Sequence, residues 1–291
     1  MALVIDGATL THCLNDEEMG SLFIKLGWTA NSVVCCRVSP KQKSDIIALA
    51  KKNGPWITLA VGDGSNDVPM LMEAHIGVGM RGNEGNQAAR AADYTLGKFK
   101  FLRILTLVHG RYAYRRISYF ICYYFYKNII LVFCELYFAF ENGYSGQTFF
   151  ADWMPMLYNA LWTSWPCVFT FIFDRDVDRE MNLSNPIFFE AGHKRKYFNF
   201  TVFWVYVSKA VFHGCLCYFL PMMGFGVVDS TGLSMDSWWH SSLSFTLIIH
   251  VVTYKLFVDT RQWNLLTFVT SVISIIFYYL TLTIINMPSI S

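Results

Sequence analysis

Long apolar stretches separated by short polar segments dominate the chain beyond residue 116. A helix that crosses a lipid bilayer needs about 20 mostly apolar residues. Five stretches are long enough, and they predict membrane spans at 117–140, 153–173, 201–223, 240–258 and 263–286. This part of the chain, 117–291, is therefore predicted to be an all-α transmembrane domain of about five helices.

The charges between these stretches predict which side of the membrane each loop faces. Lysine and arginine occur in the segments 174–200 and 259–262, whereas 141–152 and 224–239 contain neither. Positively charged residues are enriched in loops on the cytoplasmic side. We therefore expect an integral, multi-pass membrane protein with a cytosolic N-terminus.

The first 116 residues follow a different pattern, in which short apolar runs alternate with amphipathic segments. Runs at 3–5, 33–36, 57–61 and 76–79 predict buried strands. Ser39, Pro40 and Gln42 predict the start of a helix, as the N-cap, the first-turn proline and the capping-box partner. Strands that alternate with helices predict an α/β domain with a doubly wound parallel sheet, here over residues 1–116.

Composition and charge exclude several classes of protein. Only 15% of the 291 residues are charged, against about 25% in a typical soluble domain, so the chain is not wholly soluble. The net charge of +2 gives no support for a nucleic-acid partner. The eight cysteines include no C-x-x-C pair, which favours reduced thiols over a zinc site or a disulfide framework.

A short acidic loop in the first domain carries candidate chemistry. Gly62-Asp63-Gly64-Ser65-Asn66-Asp67 follows a predicted strand directly, and the carboxyl ends of parallel strands are where such sheets bind ligands. Two carboxylates and an asparagine suit a hard cation such as Mg²⁺. Lys43, on the preceding helix, is placed to supply a positive charge to a phosphoryl group. A merely solvated acidic turn is the alternative.

The first predicted span contains a lysine far from either end of its helix. A charge near the middle of a bilayer is costly unless it is paired or faces water. Lys127 lies eight residues before Glu135, on roughly the same helix face, so a structural ion pair is one interpretation. The other is a polar substrate path, with Asn128 beside the lysine.

The second predicted span supports the substrate path. Asn159, Thr163 and Ser164 recur on one helix face, just before Pro166. A proline at this position frees a backbone carbonyl in the preceding turn, which is tolerated where a helix lines a cavity.

The combined motifs resemble P-type ATPases, and within them the phospholipid flippases of the type IV branch. The soluble motifs are Arg37-Val38-Ser39-Pro40 with Lys43, the run Gly62 to Val68, Ala74 to Gly79, and Gly82-Asn83-Glu84-Gly85. The membrane motifs are His109-Gly110-Arg111-Tyr112, Phe125-Tyr126-Lys127-Asn128, Ser145-Gly146-Gln147 and Tyr158-Asn159. The run from Glu135 to Phe140 is most similar to the aminophospholipid-transporting group.

This resemblance implies a phosphorylation site of the haloacid-dehalogenase (HAD) type, with ATP and Mg²⁺ as cofactors. Asp63 would hold Mg²⁺ and Asp67 would help to organise it. Lys43 would contact the phosphoryl group, while Arg37 and Asn66 would help to shape the nucleotide and phosphate site. The domain at 1–116 would then be the C-terminal portion of the cytosolic phosphorylation domain.

The resemblance also implies a lipid substrate and a partner. A phospholipid headgroup would pass along Lys127, Asn128 and Asn159, with Thr163 and Ser164 on the same path. Lipid would move from the exoplasmic to the cytosolic leaflet at a plasma, Golgi or endosomal membrane. A glycosylated accessory β-subunit is the expected protein partner.

One family motif does not occur in this sequence. The nucleophilic aspartate of such pumps lies in an Asp-Lys-Thr-Gly run, which these 291 residues do not contain. We therefore expect the C-terminal part of a longer chain, inactive alone. The alternatives are a truncated, non-catalytic membrane subunit or pseudo-copy, and a cation-transporting P-type ATPase.

Overall fold

The chain divides into two units, Met1–Leu105 and Thr106–Ser291, in a computed structural model that describes residues 1–82, 86–225 and 236–285. The division lies before residue 116, where the sequence places the domain boundary. The reason is that the helical segment Leu105–Gly110 already leads into the first long helix, which begins at Arg111.

The first unit contains two small parallel sheets. Strands β1 and β2 pair with each other, and β3, β4 and β5 form a second sheet in that order. Parallel strands are thus confirmed, but in the described residues they form two sheets instead of one, and β5 was not predicted. The strands are β1 Ala2–Asp6, β2 Ser32–Cys36, β3 Leu59–Gly62, β4 Ile76–Met80 and β5 Tyr94–Leu96. The helices are α1 Gly7–Asn15, α2 Glu17–Thr29, α3 Pro40–Lys52, α4 Val68–Glu73, α5 Gln87–Ala91 and α6 Leu102–Ile104.

Helix α3 begins as the sequence predicts and packs against both sheets' cores. The Ser39 hydroxyl accepts the Gln42 backbone N–H at 3.3 Å, and the Gln42 side chain accepts the Ser39 N–H at 2.8 Å. Ile46 packs against the core beside β1 and β2, and Ile47 packs against the core beside β3 and β4. The helix therefore places its first turn near the carboxyl ends of the strands.

The second unit is helical, and four helical segments in the described part of the chain are long and apolar enough to cross a membrane. They are Phe99–Glu141, Phe200–Gly224, Ser237–Asp259 and Leu265–Ile285. They correspond to four of the predicted spans, and the predicted span at 153–173 is a broken helix. The helices of this unit are α7 Arg111–Glu141, α8 Trp153–Leu157, α9 Ser164–Phe173, α10 Arg179–Ser184, α11 Glu190–His193, α12 Phe200–Phe225, α13 Ser237–Asp259 and α14 Leu265–Ile285.

The break in the helix lies between α8 and α9, where a π-helical turn spans Tyr158–Trp162. The Thr163 N–H donates to the Tyr158 carbonyl at 3.1 Å, and the Thr163 hydroxyl donates to the same oxygen at 2.7 Å. Pro166 has no N–H, so the Trp162 carbonyl four residues earlier is freed, as the sequence predicts. The Ser274 hydroxyl on α14 donates to that carbonyl. The hydroxyl groups of Thr163 and Ser274 therefore donate hydrogen bonds to backbone carbonyls at the break.

The core of the second unit is aromatic and surrounds this break. Trp162 is fully buried, with its ring perpendicular to those of Tyr278 and Phe245 at centroid distances of 5.1 and 5.7 Å. Tyr158 is also fully buried and meets Phe245 at 5.8 Å. Edge-to-face pairs of this kind stabilise a core beyond the area that they bury. The packing fixes the broken segment at the centre of the unit.

Candidate functional site

The acidic loop after β3 is organised around Asp67. The Lys43 ammonium lies 2.8 Å from Asp67 Oδ1, and the Asp63 backbone N–H donates to Asp67 Oδ2 at 3.3 Å. A β-carbon on Gly62 would lie 2.4 Å from the Asp67 β-carbon, so this turn requires glycine. Both Asp67 oxygens are therefore engaged, whereas the exposed Asp63 carboxylate is available to a ligand.

The first turn of α3 is fixed to the first helix by one amide side chain, that of Gln42. Gln42 Nε2 donates to the Gly7 carbonyl at 2.7 Å and to the Thr11 hydroxyl at 3.0 Å. Arg37 lies in the loop before α3 with a positive φ of 53°, a conformation that is uncommon for a residue with a side chain. The Arg37 and Asn66 side chains are exposed, and in the described chain neither bonds to the Lys43–Asp67 pair.

These residues supply only part of the ligand set that Mg²⁺ bound to a phosphate requires. No group of three or more His, Cys, Asp or Glu side chains in the described residues is arranged to hold a metal ion. Mg²⁺ is commonly held by one or two carboxylates together with substrate phosphates and water. The donor set of this loop, one free carboxylate beside a lysine, is suited to that arrangement.

The buried lysine of α7 lies against the broken helix. Lys127 is 2% exposed, and its ammonium donates to Asn159 Oδ1 and to the Thr163 hydroxyl, both at 2.8 Å. The Tyr158 hydroxyl donates to the Lys127 backbone carbonyl at 2.9 Å. The ammonium also lies 5.1 Å and 5.3 Å from the ring centroids of Tyr124 and Tyr158, within the range of a cation–π interaction.

The expected alternative of a Lys127–Glu135 ion pair is wrong. Glu135 instead accepts the backbone N–H groups of Phe149 and Phe150, at 2.9 and 3.1 Å. No carboxylate among the described residues lies within ion-pair distance of Lys127. A buried cation is therefore held by neutral oxygens and aromatic faces, while its partner Asn159 is exposed at the surface of the unit. This arrangement leaves the lysine without an anionic partner among the described residues.

Two other predicted residues do not contact the lysine directly. The Asn128 amide donates to the Tyr124 carbonyl on its own helix at 3.0 Å. The Ser164 hydroxyl donates to the Asn159 carbonyl, so it supports the backbone of the break. The structure thus brings Lys127, Asn159 and Thr163 together, with Ser164 behind them.

A second charged cluster, which sequence reasoning missed, ties α7 to the segment after α9. Arg111 donates two hydrogen bonds to Asp176 at 2.8 and 2.6 Å, and Arg115 donates to Asp174 at 2.6 Å. The other Asp174 oxygen accepts the backbone N–H groups of residues 261 and 262, at 2.8 and 2.9 Å. Arginines spaced i, i+4 at 111 and 115 were the available signal, because they share one helix face.

The charges in this cluster stabilise the ionised form of Asp176. Partial burial acts to raise the pKa of Asp176, but the hydrogen bonds from Arg111 and the positive charges of Arg115 and Arg111 outweigh it. On balance the pKa is lowered from its ordinary value of 3.8. The cluster therefore carries a carboxylate that remains charged in mildly acidic solution.

Comparison with known proteins gives a consistent match. Residues 89–291 match the family described as "Phospholipid-translocating P-type ATPase C-terminal". The chain is 38% identical over 266 residues to Phospholipid-transporting ATPase ID of Mus musculus, covering 90% of this chain and 22% of that relative. It is 35% identical over 282 residues to Phospholipid-transporting ATPase DRS2 of Saccharomyces cerevisiae, covering 96% of this chain and 21% of that relative.

The chain thus spans about a fifth of the length of these relatives. The family match covers more than half of the chain and includes the Lys127 site and the broken helix. By this match the chain belongs to the phospholipid-translocating P-type ATPase family, of which it contains the C-terminal part.

Proposed function

We propose that this chain is the C-terminal part of an ATP-driven pump that moves a phospholipid from the exoplasmic to the cytosolic leaflet. The observation that carries the proposal is the buried Lys127 ammonium, held by Asn159 and Thr163 without a carboxylate partner. Phospholipid headgroups bear a phosphate, which is the kind of anion that such a site lacks. An aminophospholipid is the proposed substrate class.

The headgroup would bind at the break between α8 and α9. Its phosphate would replace neutral oxygens on the Lys127 ammonium and add the attraction between opposite charges that neutral acceptors do not supply. The exposed Asn159 amide would then be free to contact the headgroup from the surface side. Because the site lies at the surface of its unit, the acyl chains would remain in the bilayer.

The acidic loop of the first unit would serve the ATP-driven step. Asp63 would hold Mg²⁺, which neutralises charge on the phosphate oxygens when bound. Asp67 would position Lys43, and Lys43 would contact the phosphoryl group, in agreement with the dominance of positioning and electrostatics in phosphoryl transfer. Arg37 and Asn66 would contact nucleotide from the same edge. A nucleophilic aspartate in a longer chain would complete an aspartyl-phosphate cycle on a HAD-like sheet.

The membrane arrangement that we propose has five crossings, with the broken helix 153–173 as the second. Discontinuous helices are tolerated in membranes where neighbouring groups satisfy the freed backbone, and Ser274 and Thr163 do so here. The N-terminal unit would face the cytosol, and the segment 141–152 would face the opposite side. A glycosylated β-subunit would contact the exoplasmic segments.

A cation pump is the less favoured function. A dehydrated cation needs carboxylates among the helices that bind it, and the broken helix 153–173 contains none. Lys127 would repel a cation at the site, because in the described residues no acid neutralises it.

The test is lipid uptake by a chimaera in which this chain replaces the 282 aligned residues of the yeast relative. Cells carrying the chimaera are expected to internalise fluorescent phosphatidylserine, and Lys127→Met is expected to abolish most of that uptake. Lys209→Met is the matched control, because Lys209 is an exposed lysine on α12. Equal uptake by the Lys127 variant and the control would refute the headgroup site, and phosphatidylcholine uptake alone would refute the aminophospholipid preference.

A further inference from the structure

Glu135 has a role in α7 that the proposed function does not use. Each of its carboxylate oxygens accepts one backbone N–H, from Phe149 and from Phe150, at 2.9 and 3.1 Å. No lysine or arginine in the described part of the chain lies within ion-pair distance of this carboxylate. A half-buried carboxyl side chain thus holds two amides of the segment 149–150.

The segment 149–150 leads directly into the broken helix. Phe149 and Phe150 are 5% and 1% exposed, and α8 begins three residues later at Trp153. The same segment then reaches Tyr158, whose hydroxyl is bound to the Lys127 carbonyl at 2.9 Å. Glu135 and Lys127 therefore attach one helix, α7, to two points of the segment that carries Asn159.

Because α7 is a regular helix, these two attachments fix the position of the facing segment along its axis. The eight residues from Lys127 to Glu135 correspond to about 12 Å along the α7 axis. On the facing segment, nine residues lead from Phe150 through α8 to Asn159, which lies in the π-helical turn at Tyr158–Trp162. Without the attachment at Glu135, α8 can shift relative to α7 and carry Asn159 away from Lys127.

We propose that Glu135 is a positioning residue for the Lys127 site, which sets the distance between α7 and the broken helix by holding the amides of Phe149 and Phe150. The inference rests on the proposed function for its effect on transport, but not for the contact itself. It implies a graded response to substitution. Glutamine retains one oxygen that can accept an amide, whereas alanine retains none.

The test uses Glu135→Gln and Glu135→Ala in the chimaera defined above, purified into lipid nanodiscs. Glu141→Gln is the matched control, because Glu141 lies at the same end of α7 but accepts its hydrogen bond from the Tyr218 hydroxyl, at 2.6 Å. Three quantities are measured. They are the hydrogen exchange rates of the Phe149 and Phe150 amides, the labelling of Lys127 by a membrane-permeant amine reagent, and the KM and kcat for lipid-stimulated ATP hydrolysis.

The effects on the three measurements are expected to be larger for Glu135→Ala than for Glu135→Gln, and to be absent for Glu141→Gln. Exchange of the two amides accelerates, Lys127 labelling rises from its buried background, and the KM for lipid increases by about tenfold in the alanine variant with kcat nearly unchanged. A loss of kcat alone, with equal amide exchange in all variants, would overturn the proposal. So would faster exchange that leaves both Lys127 labelling and KM unchanged.

Failure of the proposed function is distinguishable from failure of this inference. If the unsubstituted chimaera shows no lipid-stimulated hydrolysis, the pump assignment fails, while amide exchange and Lys127 labelling still decide whether Glu135 sets the spacing. Unaltered labelling in Glu135→Ala would then overturn the inference on structural grounds.

Discussion

Replacing Asp174 by alanine should destabilise the membrane unit more than any other single carboxylate substitution in its loops. Asp174 is 3% exposed and binds Arg115 through one oxygen and two backbone amides through the other. Its removal leaves a largely buried guanidinium and two unpaired N–H groups. The bonds from the Asp174 side chain to α7 and to the link before α14 would be lost together.

The size of the effect follows from these contacts. Breaking a buried ion pair by removing one partner typically costs about 3–5 kcal/mol. Asp176 lies 3.7 Å from Arg115 and would compensate part of the lost charge, which favours the lower end, about 3 kcal/mol. For a unit of this size, that corresponds to a fall in melting temperature of roughly 6–12 °C.

The buried cysteines of the unit provide the assay. Four of them are at most 3% exposed, namely Cys122, Cys134, Cys167 and Cys217. Because these thiols become reactive only on unfolding, a thiol-reactive dye reports the melting temperature in detergent. Asp178→Ala is the matched control, because Asp178 lies in the same loop and its side chain caps no helix. A melting temperature for Asp174→Ala within about 2 °C of the control would refute the reasoning.

Three further outcomes follow from the structure. Gly62→Ala should displace Asp67, because the new β-carbon would lie 2.4 Å from the Asp67 β-carbon, and should reduce phosphoenzyme formation from labelled ATP in the chimaera at least tenfold; unchanged labelling would contradict this. Ser39→Ala should cost about 1 kcal/mol of α3 stability through loss of the N-cap, measured as a lower denaturation midpoint of the first unit, with Ser65→Ala as a control that removes no cap. Because the pKa of Asp176 is lowered on folding, this carboxylate stabilises the fold at pH values above its ordinary pKa of 3.8. The stabilisation is lost as the pH falls through the lower folded-state pKa. Melting temperatures measured between pH 6 and about pH 3 should therefore fall in acid, and Asp176→Asn should flatten that fall; an identical slope in the variant would exclude this carboxylate as the cause.

Local features of the fold were predictable because they depend on neighbouring residues. The capping box of Ser39 and Gln42 needs only a spacing of three, and both of its hydrogen bonds are present. The carbonyl freed by Pro166 follows from a missing N–H, although its partner Ser274, 112 residues from Trp162, could not be deduced. Strand β5 escaped prediction because three residues are too few to show a period.

The partner of Glu135 shows why the remainder was not predictable. Charge and helix spacing indicated a pairing with Lys127, since both side chains lie on roughly one face of α7. The actual donors are the amides of Phe149 and Phe150, and backbone donors leave no trace in residue identity. Similarly, Arg115 and Asp174 lie 59 residues apart in the sequence, and their pairing depends on how α7 packs beside the end of α9, which residue spacing does not encode.

The central claim is that Lys127 receives the headgroup of a phospholipid transported in an ATP-driven cycle. The most direct measurement is the ratio of ATP hydrolysis with and without phosphatidylserine, for the purified chimaera and its Lys127→Ala and Lys209→Ala variants. The account predicts strong stimulation in the chimaera and in Lys209→Ala, and a ratio near one in Lys127→Ala. Equal stimulation of all three proteins would contradict it.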